Sequence, residues 1–112
     1  MQPLDLLFQL LGLYSPSDQE TKAVNYLVEW IRLAGFDAWV DDVGNAVGVM
    51  GDGADEVVLL GHIDTVPGFI PVKIDGDRLY GRGAVDAKGP LATFVAAAAQ
   101  VGAGLGRAHV AR

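Results

Sequence analysis

The sequence predicts an α/β fold, a three-layer sandwich built around a mixed sheet. Two segments with helical periodicity precede a series of short strand-like segments, and a further helical segment follows them. A continuous apolar run at residues 57–60 is typical of a strand that is covered on both faces. Residues 91–99 are apolar on every side of a predicted helix, and such a helix belongs between layers.

Two helices are predicted in the first third of the chain. The first presents an apolar face made of Leu4, Leu7, Phe8 and Leu11, and it ends near Gly12. The second begins at Ser17, which forms a capping box with Glu20, and it ends before Gly35. Its buried stripe consists of Val24, Leu27, Val28 and Ile31.

Strands are predicted at residues 36–40, 46–50 and 57–60, followed by a hairpin whose strands, 72–74 and 78–80, flank a Gly-containing turn. A helix then begins near Lys88. The last segment, residues 101–112, is rich in glycine and has little strand character. We therefore expect it to be a poorly ordered tail.

Composition narrows the possible functions. The 112 residues include fourteen acidic and eight basic side chains, for a net charge of −6, which argues against nucleic acid or an anionic membrane as partner. Because the chain has no cysteine, any metal site must use His, Asp or Glu. No segment approaches the roughly 20 apolar residues of a membrane span, and the N-terminus is acidic where a signal peptide is basic. We predict a cytoplasmic protein.

The first candidate site residues are His62 and Asp64, which follow the predicted strand at 57–60. Ligands of open α/β sheets bind at the carboxyl ends of strands. A neutral imidazole binds Zn²⁺, and a carboxylate that accepts its other N–H orients the ring. Alternatively, His62 is a structural histidine near a turn and Asp64 a capping residue.

The second candidate is Asp86, at the entry to the last helix. An aspartate at this position also favours a helix N-terminus by itself, so a metal-binding role and a capping role are both open. Lys88 opposes the helix dipole there, and it is expected to pair with Asp86 or with a ligand. The segment Gly81-Arg82-Gly83 starts like a dinucleotide fingerprint, but Asp86 stands where the third glycine belongs.

Three motifs together carry a family resemblance. They are Gly-His-Ile-Asp-Thr-Val-Pro at 61–67, Leu-Tyr-Gly-Arg-Gly at 79–83 and Asp-Ala-Lys-Gly-Pro at 86–90. This pattern resembles the zinc-dependent aminoacylase/carboxypeptidase family, which includes acetylornithine deacetylase and succinyl-diaminopimelate desuccinylase. Within that family it is most similar to the LysW-lysine / LysW-ornithine hydrolases, because the loop after Pro67 is short and alanine, not methionine, precedes Lys88.

The resemblance implies a role for three residues. His62 matches a terminal zinc ligand, Asp64 the carboxylate that orients it, and Asp86 the carboxylate that bridges two Zn²⁺ or Co²⁺ ions. It also implies that the Asp86–Ala87 peptide bond is cis and that His62 and Asp86 converge on one crevice. The family's general-base glutamate and its remaining ligands come later in the chain and have no counterpart in these 112 residues.

The resemblance therefore implies the N-terminal part of a zinc-peptidase-like catalytic domain, family-like over about residues 1–100 and atypical over 101–112. Either the chain is a fragment, or a frameshift has replaced the continuation of the domain. The implied activity is release of lysine or ornithine from an acidic amino-group carrier protein, within lysine or arginine biosynthesis, by an enzyme that is a homodimer when complete. We expect the chain by itself to be inactive. The alternative is a non-catalytic α/β fragment or partner-binding domain that retains half of the metal site.

Overall fold

The computed structural model describes residues 3–102 and the backbone of residues 107–111, and it has the predicted α/β architecture. In chain order, its elements are α1 (Pro3–Gly12), α2 (Thr21–Leu33), β1 (Asp37–Val40), β2 (Ala46–Met50), β3 (Glu56–Leu60), β4 (Lys73–Asp75), β5 (Arg78–Tyr80), α3 (Lys88–Val101) and β6 (Arg107–Ala111). None of the helices in these residues has the length and apolar character that crossing a membrane requires.

The main sheet is mixed, as predicted. Its strand order is β1-β2-β6-β3, with antiparallel pairing of β1 with β2 and of β2 with β6, and parallel pairing of β6 with β3. The strands β4 and β5 form a separate antiparallel hairpin in which Ile74 lies opposite Leu79, which confirms the predicted hairpin. The α/β class with a mixed sheet is therefore confirmed.

The segment after α3 differs from the sequence prediction. Residues 107–111 form β6, which lies between β2 and β3 instead of lacking strand structure. The prediction of little strand character is wrong here, because two neighbouring strands offer hydrogen-bonding groups that outweigh the low intrinsic preference of the segment. The expected disorder of residues 103–106 and of residue 112 lies outside the described residues. The division of the chain near residue 100 stays a prediction.

The core lies between the helices and the main sheet. The stripe predicted for α2 is buried as expected, and Gly48 of β2 approaches it so closely that an added Cβ would lie 2.7 Å from Cδ1 of Ile31. Predominantly apolar α3 buries Leu91 and Val95 completely. The buried face predicted for α1 is wrong. Leu6, Leu10 and Leu11 are buried, whereas Leu4 and Phe8 of the predicted face are exposed.

The predicted start of α2 is also wrong. The helix begins at Thr21, and its N-cap residue, Glu20, makes no side-chain capping bond. The Glu20 carboxylate accepts instead from the backbone N–H of Asp18, and the Ser17 hydroxyl donates to Asp64. Ser17 therefore bonds to Asp64, which is distant in sequence, instead of capping α2. Gly35 follows the C-cap residue with a positive φ, as predicted.

Burial of β3 is the remaining difference. The sequence predicts that this strand is covered on both faces, but Val57, Val58 and Leu60 are 42%, 54% and 72% exposed. In the described sheet, β3 is an outer strand with β6 as its neighbour. The apolar run therefore predicted the strand correctly, but it did not predict how much of the strand is buried in this chain.

Candidate active site

The segment that follows β3 presents His62 and Asp64 on one side of the chain. Ile63 between them is completely buried, and its carbonyl accepts a hydrogen bond of 2.8 Å from the Ser15 hydroxyl. The N–H of Thr65 donates to the Ser15 carbonyl over 2.9 Å. Because neighbouring side chains of an extended segment point in opposite directions, the buried Ile63 directs His62 and Asp64 away from the core.

Asp64 contacts both His62 and the loop before α2. Its Oδ1 lies 3.2 Å from Nδ1 of His62, and its backbone carbonyl lies 3.0 Å from the same nitrogen. Its Oδ2 accepts a hydrogen bond of 2.7 Å from the Ser17 hydroxyl. The carboxylate is therefore held from one side by Ser17 and faces the His62 ring with the other oxygen, the arrangement expected of a residue that orients the ring.

The opposite edge of the His62 ring faces Asp86. Nε2 of His62 and Oδ1 of Asp86 lie 3.1 Å apart, although the two residues are 24 positions apart in sequence. Both line the same pocket, which confirms the prediction that they converge on one crevice. The peptide bond between Asp86 and Ala87 is cis, also as predicted.

The pKa of His62 is raised above its ordinary value. Burial by itself lowers this pKa, because it penalises the charged ring. The carbonyl of Asp64 and the carboxylate of Asp86 accept hydrogen bonds from the charged ring, and both carboxylates attract it, so that together they outweigh burial. The protonated ring donates from both nitrogens. Since a metal-binding imidazole is neutral, a metal ion and a proton would compete for His62.

A tight turn brings Asp86 to this position. Gly83 has φ +85°, and an added Cβ there would lie 2.7 Å from Cγ2 of Thr65. The carbonyl of Gly83 accepts a hydrogen bond of 2.9 Å from the N–H of Lys88, the first residue of α3. The turn therefore packs against the segment that carries His62 and Asp64.

The Lys88 side chain does not pair with Asp86, so that expectation is wrong. Its ammonium donates to the carbonyls of Leu10 and Leu13, at 2.7 and 3.0 Å. These carbonyls lie at the C-terminal end of α1, where helices leave backbone acceptors unpaired and favour a cation. Burial lowers the pKa of Lys88 to about 8. Lys88 thus joins α3 to α1 beneath the site, and its other predicted partner, a ligand, is not supported by this placement.

A pocket of about 800 Å³ opens beside His62 and Asp86. Gly68, in the loop on its border, is held from two sides. Its N–H donates to the Tyr14 hydroxyl and its carbonyl accepts from Nε of Arg82, each over 2.6 Å. The loop and the β4–β5 hairpin thus form one connected border of the pocket.

His62 and Asp86 supply donor types that suit Zn²⁺, an imidazole nitrogen and a carboxylate oxygen. Their facing atoms are close enough for a shared ion to replace the hydrogen bond between them. Within the described part of the chain, however, no group of three or more His, Cys, Asp or Glu side chains is arranged to hold a metal ion. A catalytic zinc needs about three protein ligands, so the pair fits part of a metal site.

Sequence reasoning missed the residues that support the pair. The sequence predicts a helix cap at Ser17, yet the Ser17 hydroxyl donates to Asp64, and the Ser15 hydroxyl donates to the carbonyl of Ile63. A serine followed three positions later by glutamate has the pattern of a capping box, so no local signal distinguished the two roles. A cation in the first turn of α3 marked Lys88 as unusual, but it did not indicate that the partners of Lys88 are the carbonyls of Leu10 and Leu13.

Comparisons with known proteins relate this fold and site to one family. Residues 58–110 match the model of peptidase family M20/M25/M40. A LysW-lysine hydrolase of Deinococcus radiodurans is 52% identical over 94 residues, which are 83% of this chain and 26% of that protein. A LysW-lysine/LysW-ornithine hydrolase of Saccharolobus islandicus is 40% identical over 94 residues, 84% of this chain and 26% of that protein.

Solved structures support the fold. Human carnosine dipeptidase 1 superposes with a TM-score of 0.79 at 17% identity, covering 97% of this chain and 31% of its own. A Staphylococcus aureus tripeptidase superposes with a TM-score of 0.77 at 23% identity, covering 97% and 35%.

These matches relate the chain to peptidase family M20/M25/M40, which confirms the resemblance predicted from its motifs. The particular relatives it resembles are the LysW hydrolases. The chain spans 26% of the length of each of the two curated relatives described above.

Proposed function

We propose that this chain is the part of a metal-dependent amide hydrolase that supplies His62 and Asp86 as metal ligands. The hydrolase would release lysine or ornithine from an acidic amino-group carrier protein. Its relatives are named LysW-lysine and LysW-lysine/LysW-ornithine hydrolases. The observation that carries the proposal is the approach of Nε2 of His62 to Oδ1 of Asp86, 3.1 Å apart in a pocket. The family match and 52% identity to a named hydrolase support it.

In this proposal, each residue has a defined role. His62 and Asp86 hold Zn²⁺ or Co²⁺, two ions in the complete site, and Asp64 orients the His62 ring through Nδ1. Such ions activate water and polarise the scissile carbonyl. The orientation of His62 is supported by the hydrogen bond from Ser17 to Asp64, because this bond fixes the carboxylate that the ring faces. We further propose that the complete enzyme is a cytoplasmic homodimer.

The proposal includes inactivity of the chain by itself, because the described residues do not complete a metal site. The same observation favours a second candidate, a non-catalytic domain that keeps half of the site and binds a partner. Purified chain with added Zn²⁺ or Co²⁺ is expected to release no lysine from LysW-lysine. If the purified chain does release lysine, and His62→Ala abolishes this activity, the 112 residues are sufficient for hydrolysis.

A chimera separates the two candidates. The matched part of this chain replaces the corresponding part of the Deinococcus radiodurans hydrolase, to which it is 52% identical. The hydrolase hypothesis predicts that the folded chimera releases lysine from LysW-lysine. A folded chimera without activity, next to an active parent enzyme prepared in parallel, would favour the non-catalytic candidate.

A further inference from the structure

The pocket beside His62 and Asp86 is also lined by two arginines, Arg78 and Arg82. The acidic residues in the lining, Asp64 and Asp86, both face the His62 ring. The negative charges of the pocket are therefore gathered around His62, whereas the two guanidinium groups belong to β5 and to the turn that follows it.

Neither arginine forms an ion pair with another residue of the described chain. Arg78 is exposed and lies opposite Asp75 in the register of the hairpin, yet the two do not form a salt bridge. Arg82 donates from Nε to the carbonyl of Gly68. A guanidinium has five N–H donors, so Arg82 keeps four others for a further acceptor. In a chain with fourteen acidic residues, two such arginines on one pocket are notable.

The remaining lining favours binding of an anion to these groups. Val66, Ile70, Leu79 and Val85 give the pocket apolar walls. These apolar side chains offer the guanidinium groups no hydrogen-bond acceptor, so an anion that enters the pocket would not compete with them. A planar guanidinium matches the two oxygens of a carboxylate, and the resulting charge-assisted hydrogen bonds are about twice as strong as neutral ones.

We propose that Arg78 and Arg82 bind a carboxylate group of the substrate, so that the pocket selects amides that carry a negative charge. The inference rests on the proposed function, because it assigns the carboxylate to the amide that the complete enzyme would cleave. The carboxylate belongs either to the amino acid that is released or to the acyl part. Arg78 is the specificity-determining residue to vary, because replacing Arg82 would also release Gly68.

Binding to the 112-residue chain, followed by NMR, tests this without any hydrolysis. The probes are N-acetyl-L-lysine, with its carboxylate on the amine side, N-butylsuccinamic acid, with its carboxylate on the acyl side, and neutral N-butylacetamide. We expect at least one carboxylate probe to bind about tenfold more tightly than the neutral probe. The probe that binds more tightly identifies the side that carries the recognised carboxylate.

Variants of Arg78 then test whether this residue causes the preference for a carboxylate probe. Arg78→Gln is expected to reduce binding of the preferred probe to the level of the neutral one, while Arg78→Lys retains part of the preference. The matched control is Lys73→Gln, which removes a cation from the other strand of the same hairpin, outside the pocket lining. Unchanged binding by Arg78→Gln, or equal binding of all three probes, would overturn the inference. Absence of hydrolysis by the chimera would contradict the proposed function alone.

Discussion

Substitution of Gly83 by alanine is expected to destabilise the turn that carries Asp86. Two separate costs arise at this position. The backbone has φ +85°, a region that side chains with a Cβ rarely adopt. The new Cβ would also lie 2.7 Å from Cγ2 of Thr65. Thr65 is 5% exposed and is tied to Ser15 by its N–H, so it has little room to move.

The matched control separates the two costs. Gly76, in the turn of the β4–β5 hairpin, has φ +62° and no atom within 4 Å of an added Cβ. Gly76→Ala therefore carries the backbone cost of about 1–2 kcal/mol alone. Gly83→Ala adds a steric cost of about 1–3 kcal/mol, the range for an overpacked interior. The predicted loss for Gly83→Ala is thus about 2–5 kcal/mol.

Urea denaturation, followed by circular dichroism, measures both losses in the free energy of unfolding. A double-mutant cycle with Thr65→Ser, which removes Cγ2, should recover the steric part of the loss at Gly83 and none of the loss at Gly76. Equal losses for the two glycine variants, or a Gly83→Ala loss that Thr65→Ser leaves unchanged, would refute the packing of this turn against Thr65.

Two further predictions concern pH. Since burial lowers the pKa of Lys88 from 10.5 to about 8, the unfolded chain binds more protons between these values, and stability should rise with pH across them, by at most about 3 kcal/mol. The charge-favouring bonds to Leu10 and Leu13 make this an upper limit, and Lys88→Met should remove the rise in a pH series of urea denaturations. The backbone N–H of Asn45 donates a hydrogen bond of 2.8 Å to Asp41 and lowers its pKa. The contribution of Asp41 to stability should therefore be lost as pH falls through the lowered pKa, and Asp41→Ala should flatten that acid limb. An unchanged pH profile in either variant would contradict the corresponding assignment.

The sequence identified the three candidate site residues because their signals are local. His62 and Asp64 follow directly after a recognisable strand, and Asp86 lies just before a recognisable helix. Apolar periodicity identifies the strand and the helix themselves better than their exact ends, and the motifs gave these residues their proposed roles. The distance between His62 and Asp86 then follows from how the two elements pack.

What the sequence did not reveal depends on distant partners. The Lys88 ammonium binds a carbonyl 78 positions away, and the Ser17 hydroxyl binds Asp64, 47 positions away. The buried face of α1 was misassigned because leucines occur on both sides of that helix, including Leu6 and Leu10, so periodicity alone does not choose the face. The strand β6 forms where two strands flank it, a tertiary effect that propensity does not contain.

The proposed function requires that His62 and Asp86 hold metal in the complete protein. Measuring the bound zinc by elemental mass spectrometry, in the chimera and its variants, tests this requirement. We predict that His62→Ala and Asp86→Ala each lose zinc, and that Asp64→Asn binds it about 10–100-fold more weakly. Asp77→Ala, an exposed acid outside the pocket lining, should retain the full content. Full zinc content in folded His62→Ala and Asp86→Ala chimeras would contradict the account.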